Sequence, residues 1–163
     1  MITLRPGDRE EDPALCARLY FEAVRKGGGP HYNNEQRIAW APEVPSDAAW
    51  SERIRTGYTL IAERDERPVG FMVLATDGSI DLAFVLAEER GKGVSSALYD
   101  ALLREAIEQG LTQLTTHASL FFRPFLERRG WEVVETEHVE RHGSTLVRFA
   151  MIVDPIRAEF DPR

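Results

Sequence analysis

The spacing of apolar positions in the first third of the chain predicts one strand followed by helices. Residues 2–5 alternate between apolar and polar, as in a half-exposed strand. Leucine and alanine then recur every four positions along residues 13–26, which is typical of a helix with one apolar face. Asp12 is expected to cap this helix, and Pro13 suits its first position. Two more helices are predicted, one within residues 31–42 and one from Ser46 or Asp47 to Arg55.

From residue 58 onward the pattern changes to the two-residue period of strands. Three antiparallel strands joined by tight turns are predicted over residues 58–64, 69–76 and 80–86. A helix over 94–109, a strand over 111–118, a short aromatic helix over 121–129 and a last hairpin of strands over 131–140 and 145–153 are predicted to follow.

Composition indicates a single soluble globular domain. The 163 residues are 43% hydrophobic and 29% charged. We expect the domain to span residues 1–153, with a loosely held tail over 154–163. No apolar run reaches the length of about 18 residues that suggests a membrane span, and the first residues lack the apolar core of a signal peptide.

Net charge and cysteine content limit the partners and the kinds of site that this protein can have. The net charge of −7 argues against nucleic acid as a partner. Cys16 is the single cysteine, so no internal disulfide is expected, and no Cys/His cluster has the spacing of a metal site. A cytoplasmic protein without a metal or a membrane partner is the expectation.

Residues 88–98 carry the most specific chemical signal. A predicted strand runs into this glycine-rich turn and a predicted helix runs out of it. Gly91 and Gly93 let a ligand approach the backbone closely, and the first turn of the helix offers unpaired N–H groups at its positive end. Arg90 and Lys92 add positive charge. The turn is therefore predicted to bind phosphate.

Two common phosphate motifs do not fit this turn. A P-loop needs Ser or Thr directly after its Gly-Lys pair, but Gly93 follows Lys92. A dinucleotide fingerprint needs a third glycine, where Ser96 stands. The pattern that fits is Arg/Gln-x-x-Gly-x-Gly/Ala, with Ser95 in place of the last small residue. In this motif the chain resembles the GNAT superfamily of acyl-CoA-dependent N-acyltransferases. The resemblance spans roughly residues 2–152 and includes the segments 69–71 and 125–131.

The resemblance implies an α/β (α+β) GNAT fold: a mixed, twisted sheet of about seven strands flanked by about four helices. The fourth and fifth strands are expected to splay apart and to accept the pantetheine arm of acetyl-CoA between them. Backbone groups of Phe84, Val85 and Leu86 would bind the arm, and one N–H would polarise the thioester carbonyl. The predicted cofactor-binding residues are Phe84, Val85, Leu86, Arg90, Gly91, Lys92, Gly93, Val94, Ser95, Ser96 and Ser119.

N-Acylation requires removal of a proton from an amine that is mostly protonated at neutral pH. Asp81, on the strand that forms the cleft, is the first candidate for the base, because an apolar setting would raise the pKa of its carboxyl group. The alternative is that Asp81 points outward or pairs with an arginine.

The proton donor to the leaving thiolate is less evident. The family often uses a Tyr where this chain has Leu126. His117 and Tyr32 are the candidate substitutes, and protonation by solvent is the third option. Tyr32, Trp40 and Trp50 are also predicted to contact the acceptor amine; packing in the core is the alternative for Trp40 and Trp50.

The predicted function is transfer of acetyl from acetyl-CoA to a primary amine of a small molecule or protein, by direct attack in a ternary complex. The alternative is a non-catalytic acyl-CoA-binding module, which Leu126 supports and Asp81 opposes. A third interpretation is an ATP-binding domain, but the sequence lacks the P-loop pattern. Because dimers are common in this fold, a homodimer is an expectation.

Overall fold

Seven strands form one sheet in the computed structural model, which describes residues 1–27 and 31–156. The strands are β1 (Ile2–Pro6), β2 (Tyr58–Arg64), β3 (Arg67–Leu74), β4 (Ser79–Val85), β5 (Leu114–Ser119), β6 (Glu132–Arg141) and β7 (Ser144–Val153). Their order in the sheet is β1-β2-β3-β4-β5-β7-β6. Only β4 and β5 pair in parallel. The predicted mixed α/β fold with seven strands is confirmed.

The described residues form five α-helices. They are α1 (Asp12–Gly27), α2 (Asn34–Trp40), α3 (Ala48–Thr56), α4 (Val94–Glu108) and α5 (Arg123–Glu127). The family resemblance implies about four helices, whereas the sequence pattern predicts all five; α2 and α3 are separate because each has its own N-cap. The Asn33 side chain accepts the Gln36 N–H at 2.8 Å, and the Asp47 carboxylate accepts the Trp50 N–H at 2.9 Å.

The sheet buries a separate apolar core on each face. Strand β2 shows the division: Leu60 and Ala62 belong to the core beneath α4, whereas Ile61, between them, belongs to the core beneath α1 and α3. Alternation of this kind follows from the two-residue period of a strand. Helices on both faces therefore leave the ends of the central strands as the places where a ligand can reach the backbone.

Strands β4 and β5 separate almost as soon as they meet. Only Ser79 and Ile80 of β4 pair with β5, opposite Thr115 and Thr116. The Thr116 hydroxyl donates to the Ile80 carbonyl at 2.8 Å and closes the last pair. The predicted splay between the fourth and fifth strands is thus present, and the rest of β4 has no strand beside it on this edge.

Asp12 does not cap α1 as predicted. Helix α1 begins at this residue, and the fully buried carboxylate is held by Arg5, whose Nη1 and Nη2 each donate to it at 2.9 Å. The Arg9 N–H donates to the same carboxylate at 2.9 Å. Arg5 also donates to Glu63 at 3.1 Å, so one ion-pair network joins β1, β2 and the start of α1.

Residues 157–163, which make up most of the predicted tail, lie outside the described part of the chain. Within the described part, none of the helices combines the length and the apolar character needed to cross a bilayer.

We expect Asp12→Asn to lower the free energy of unfolding at pH 7 by about 3 kcal/mol, because it leaves the nearly buried Arg5 guanidinium with one carboxylate fewer. Burial raises the pKa of Asp12, but the hydrogen bonds from Arg5 and Arg9 outweigh it and bring this pKa below its usual range. The ion pair therefore stabilises the fold above the ordinary carboxyl pKa of about 4, and this contribution disappears as the pH falls through the lowered pKa.

Urea denaturation of wild type and variant at pH 7 and at pH 3.5 measures this difference. Asp8→Asn is the matched control, because Asp8 is exposed and lies four residues away on the same loop. An Asp12→Asn variant as stable as the control at pH 7 would contradict the role of this network.

Candidate active site

The divergence of β4 from β5 opens two cavities that share one wall. We call them the glycine-turn cavity, which includes Val85, Gly93 and Ser96, and the α3 cavity, which includes Arg53 and Asp81. Each has a volume of about 470 Å³. Four residues line both cavities and form the shared wall: Tyr32, Trp40, Phe84 and Ser119.

The start of α4 gives the glycine-turn cavity unpaired N–H groups. Gly91 and Gly93 have φ of +76° and +88°, left-handed values that glycine adopts without strain. The Ala97 N–H makes the first backbone hydrogen bond of α4, to the Gly93 carbonyl at 3.0 Å. The N–H groups that precede it, in the first turn of the helix, are left for a ligand at the positive end of the helix dipole.

Arginines add positive charge to this cavity. Arg90 donates to the Gly27 carbonyl and lies 3.7 Å above the Phe121 ring, and burial lowers its pKa. Arg129 donates to the Ser96 hydroxyl at 2.9 Å and lies 3.7 Å above the Phe125 ring. Both guanidinium groups rest on aromatic faces and keep their charge.

Two more charged residues line the same cavity. Arg128 is exposed at its rim. Glu89 is buried and forms an ion pair with Arg64 at 2.7 Å, which lowers the pKa of this carboxyl group. Because Glu89 is already neutralised, the cavity is suited to an anion.

Most of the predicted cofactor-binding residues line the glycine-turn cavity: Phe84, Val85, Arg90, Gly91, Gly93, Val94, Ser95, Ser96 and Ser119. Leu86 and Lys92 do not. The Leu86 N–H donates to the Val69 carbonyl at 2.9 Å, and the Leu86 carbonyl accepts from Glu89 at 3.0 Å. The Lys92 residue is exposed outside the cavity. The Ser119 oxygen accepts the Phe122 N–H at 3.0 Å, so its hydroxyl hydrogen remains available to a ligand.

Asp81 lies on the wall of the α3 cavity. Its carboxylate is beside a charged arginine and not in the predicted apolar environment. A bulge in β4 leaves Asp81 without a partner on β3, since Val73 pairs with Leu82 and Leu74 pairs with Ile80. The carboxylate is held by Arg53, whose Nε and Nη2 donate to it at 3.0 and 2.8 Å.

The two candidate proton donors occupy different environments. The His117 side chain is 54% exposed and lies 3.1 Å from Glu137, on the wall of the α3 cavity alone. Tyr32 is buried in the shared wall, and burial raises its pKa. Its hydroxyl oxygen accepts the Leu120 N–H at 2.9 Å, and its hydrogen is directed to the Val147 carbonyl at 3.3 Å.

The two candidate acceptor-binding tryptophans also differ. Trp40 is half-buried in the shared wall. Trp50 lines the α3 cavity but is buried, and its indole N–H donates to the Pro13 carbonyl at 2.8 Å. Trp50 therefore also has the packing role that was its alternative.

Two arginines that line the cavities, Arg53 and Arg129, are not among the predicted site residues. Arg53 lies 28 residues before its partner Asp81, and no spacing rule connects them. Arg129 was read only as part of a helix-end motif, although its place after an aromatic helix was visible. In the described part of the chain, no group of three His, Cys, Asp or Glu side chains could hold a metal ion.

Comparisons with known proteins match this geometry. The family model for the acetyltransferase (GNAT) domain matches residues 29–153. The uncharacterised N-acetyltransferase YafP of Escherichia coli (strain K12) is 32% identical over 151 residues, which are 93% of each protein. A crystal structure of a GCN5-related N-acetyltransferase from Rhodopseudomonas palustris is 30% identical, with a TM-score of 0.85 over 93% of this chain and 94% of that one.

A more distant structure shares the fold. The PaiA N-acetyltransferase of Thermoplasma acidophilum, solved in complex with coenzyme A, is 16% identical, with a TM-score of 0.74 over 94% of this chain and 99% of that one. The glycine turn, the parted strands, the family model and the relatives at or above 30% identity agree, and the chain belongs to the GNAT family of acetyltransferases.

Proposed function

We propose that the protein binds acetyl-CoA in the glycine-turn cavity and a primary amine in the α3 cavity, and that the acetyl group passes directly between them at the shared wall. The observation that carries this proposal is that wall. Two cavities of equal volume meet at Tyr32, Trp40, Phe84 and Ser119, so two substrates can be bound with their reacting ends in contact.

Several contacts support acetyl-CoA as the ligand of the glycine-turn cavity. The first turn of α4 suits the pyrophosphate, and Arg90 and Arg129 add positive charge to the same cavity. The unpaired edge of β4 at Phe84 and Val85 can hold the pantetheine amides as an added strand would. The PaiA structure with the same fold contains coenzyme A. Leu86 and Lys92 are left out of the proposed set because neither lines the cavity.

In the proposed reaction the amine nitrogen attacks the thioester carbonyl carbon, the carbon–sulfur bond breaks, and the thiolate takes up a proton. Tyr32 is the best-placed donor of that proton, because its hydroxyl lies in the wall where the substrates meet. Attack by the neutral amine leaves a positive charge on its nitrogen, and the proton that this nitrogen then releases restores the phenol. His117, half-exposed and paired with Glu137, is the weaker candidate.

Asp81 is proposed as the base through a water relay. It is three residues before Phe84 on β4, about 10 Å along the strand, which is too far for direct contact with the attacking nitrogen. Its two hydrogen bonds from Arg53 fix the position of the carboxylate on the wall of the α3 cavity.

Three further statements remain predictions: a cytoplasmic location, a homodimer, and the absence of a nucleic-acid partner. The alternative, a non-catalytic acyl-CoA-binding module, is not favoured. The relatives that share at least 30% identity with this chain are named N-acetyltransferases.

We expect Gly93→Glu to weaken acetyl-CoA binding more than about tenfold in calorimetric titration, because it places a carboxylate at the proposed pyrophosphate site. Two controls separate charge from backbone strain. Gly93→Ala imposes the same strain at φ +88° without the charge. Gly110→Glu introduces a carboxylate at φ +82° after the other end of α4, where a Cβ meets nothing within 4 Å. Equal affinity of Gly93→Glu and Gly93→Ala would refute the proposed phosphate site.

We expect Tyr32→Phe to lower kcat about a hundredfold while the affinity for acetyl-CoA stays within a few-fold of wild type. The reason is loss of the hydroxyl proton at the shared wall. Thiol release from acetyl-CoA is the assay. Tyr99→Phe is the control, because Tyr99 is also buried and its hydroxyl accepts the Trp131 indole N–H at 2.8 Å, but it lines neither cavity. If Tyr32→Phe only lowers the melting temperature, its hydroxyl is structural.

We expect Asp81→Asn to reduce turnover about a hundredfold without weakening acetyl-CoA binding, because an amide cannot accept the amine proton. Asp100→Asn, on the exposed face of α4, provides the comparison. Unchanged turnover in Asp81→Asn would leave this carboxylate only the role of holding Arg53.

A further inference from the structure

We propose that the acceptor is a primary amine that carries a carboxylate several bonds away from its amino group, and that Arg53 and Arg141 bind this carboxylate. The inference rests on the proposed function, since it concerns the ligand of the α3 cavity. It concerns a cluster of arginines that the transfer chemistry itself does not use.

The α3 cavity has an excess of positive charge in a chain of net charge −7. Three arginines line it: Arg53, Arg141 and Arg148. Two carboxylates, Asp47 and Asp81, face them. The only other titratable groups in the lining are His117 and the phenols of Tyr20 and Tyr32.

The carboxylates are committed to other partners, and the arginines are not all neutralised. Asp47 caps α3 by accepting the Trp50 N–H at 2.9 Å. Asp81 binds Nε and Nη2 of Arg53, which leaves Nη1 unused by it. Arg148 is held by Glu137 at 2.7 Å. Arg141 has no carboxylate within 4 Å among residues 1–27 and 31–156. Arg141 is therefore the cation of this cavity that remains available to an anionic ligand.

Arg53 and Arg141 act on the same corner of the cavity. Both arginines line the cavity together with Tyr20. Burial raises the pKa of the Tyr20 hydroxyl, and the positive charges of both arginines act against this rise. Arg53 is held there by Asp81 and by the Trp50 ring, 5.6 Å from its guanidinium carbon. A carboxylate between the two arginines would meet one fixed cation and one uncommitted cation.

The length of β4 sets the separation between the amine and the carboxylate. The amine must reach the shared wall at Phe84, whereas Arg53 is bonded to Asp81, about 10 Å away along the strand. An α-amino acid places its two groups too close together to span this distance. An extended ω-amino acid spans most of it, and Leu82, Val139 and Leu146 provide apolar walls for its methylene groups.

The test compares acceptors of one length that differ in the charge of the far end: 6-aminohexanoate, its neutral amide, and 1,6-diaminohexane. Thiol release from acetyl-CoA is measured with each. We expect kcat/KM for 6-aminohexanoate to exceed that for the neutral amide by about tenfold or more, with the diamine poorest. Glycine, with the same two groups on one carbon, should be a poor acceptor.

Variants then assign the preference to Arg141. Arg141→Ala should remove most of the difference in kcat/KM between 6-aminohexanoate and the neutral amide. The kcat/KM for the neutral amide itself should stay within about twofold of wild type, because truncating a surface arginine away from the reacting atoms has little other effect. Arg141→Glu should reverse the order in favour of the diamine. Arg104→Ala is the control and should preserve the preference, because Arg104 is exposed on α4 and lines neither cavity.

Failure of this inference is distinguishable from failure of the proposed function. A protein that binds acetyl-CoA but prefers the neutral amide or the diamine, or acetylates no member of the panel, overturns the carboxylate assignment alone. A carboxylate preference that survives in Arg141→Glu overturns the assigned site. A protein that neither binds acetyl-CoA nor acetylates any amine overturns the proposed function itself.

Discussion

The parting of β4 from β5 is the constraint on which the rest of the site depends. The two strands pair at two positions only, and the Thr116 hydroxyl closes the last pair at the Ile80 carbonyl. Beyond this point the backbone of β4 has an open edge inside the protein, and backbone polar groups in such a place need a partner. A ligand that resembles an extended strand supplies one. Both cavities and their shared wall follow from this opening.

The two cavities hold their arginines in different ways, and the difference suits different ligands. In the glycine-turn cavity, Arg90 and Arg129 rest on phenylalanine rings, which orient a guanidinium without neutralising it. Their full charge remains for phosphate groups. In the α3 cavity, Arg53 and Arg148 are held by carboxylates, so most of the charge there is balanced. The positive charge that remains there lies on Arg141.

Helix α2 completes the shared wall because it is fastened to the β7 side of the sheet. Tyr32 links the backbone of Leu120 to that of Val147, and Gln36 donates to the Thr145 carbonyl at 3.2 Å. Without these bonds, Tyr32 and Trp40 would not lie between the cavities. The shared wall therefore depends on contacts that join residues about a hundred positions apart in the chain, and a helix of seven residues is too short to hold this position by itself.

The sequence by itself determined the order of the strands and helices and the glycine turn at the start of α4. These features follow from short-range signals: a two-residue or four-residue period, glycines in a turn, and a helix start after a strand. Nine residues that line the glycine-turn cavity were also predicted, those on β4 and Ser119 from the resemblance to the family. Tertiary structure decided the rest. It gave Asp12 an ion pair in place of a capping role and set Asp81 against Arg53. Such pairs depend on how a helix packs on the sheet and on a bulge that turns one side chain to another face, which local spacing does not encode.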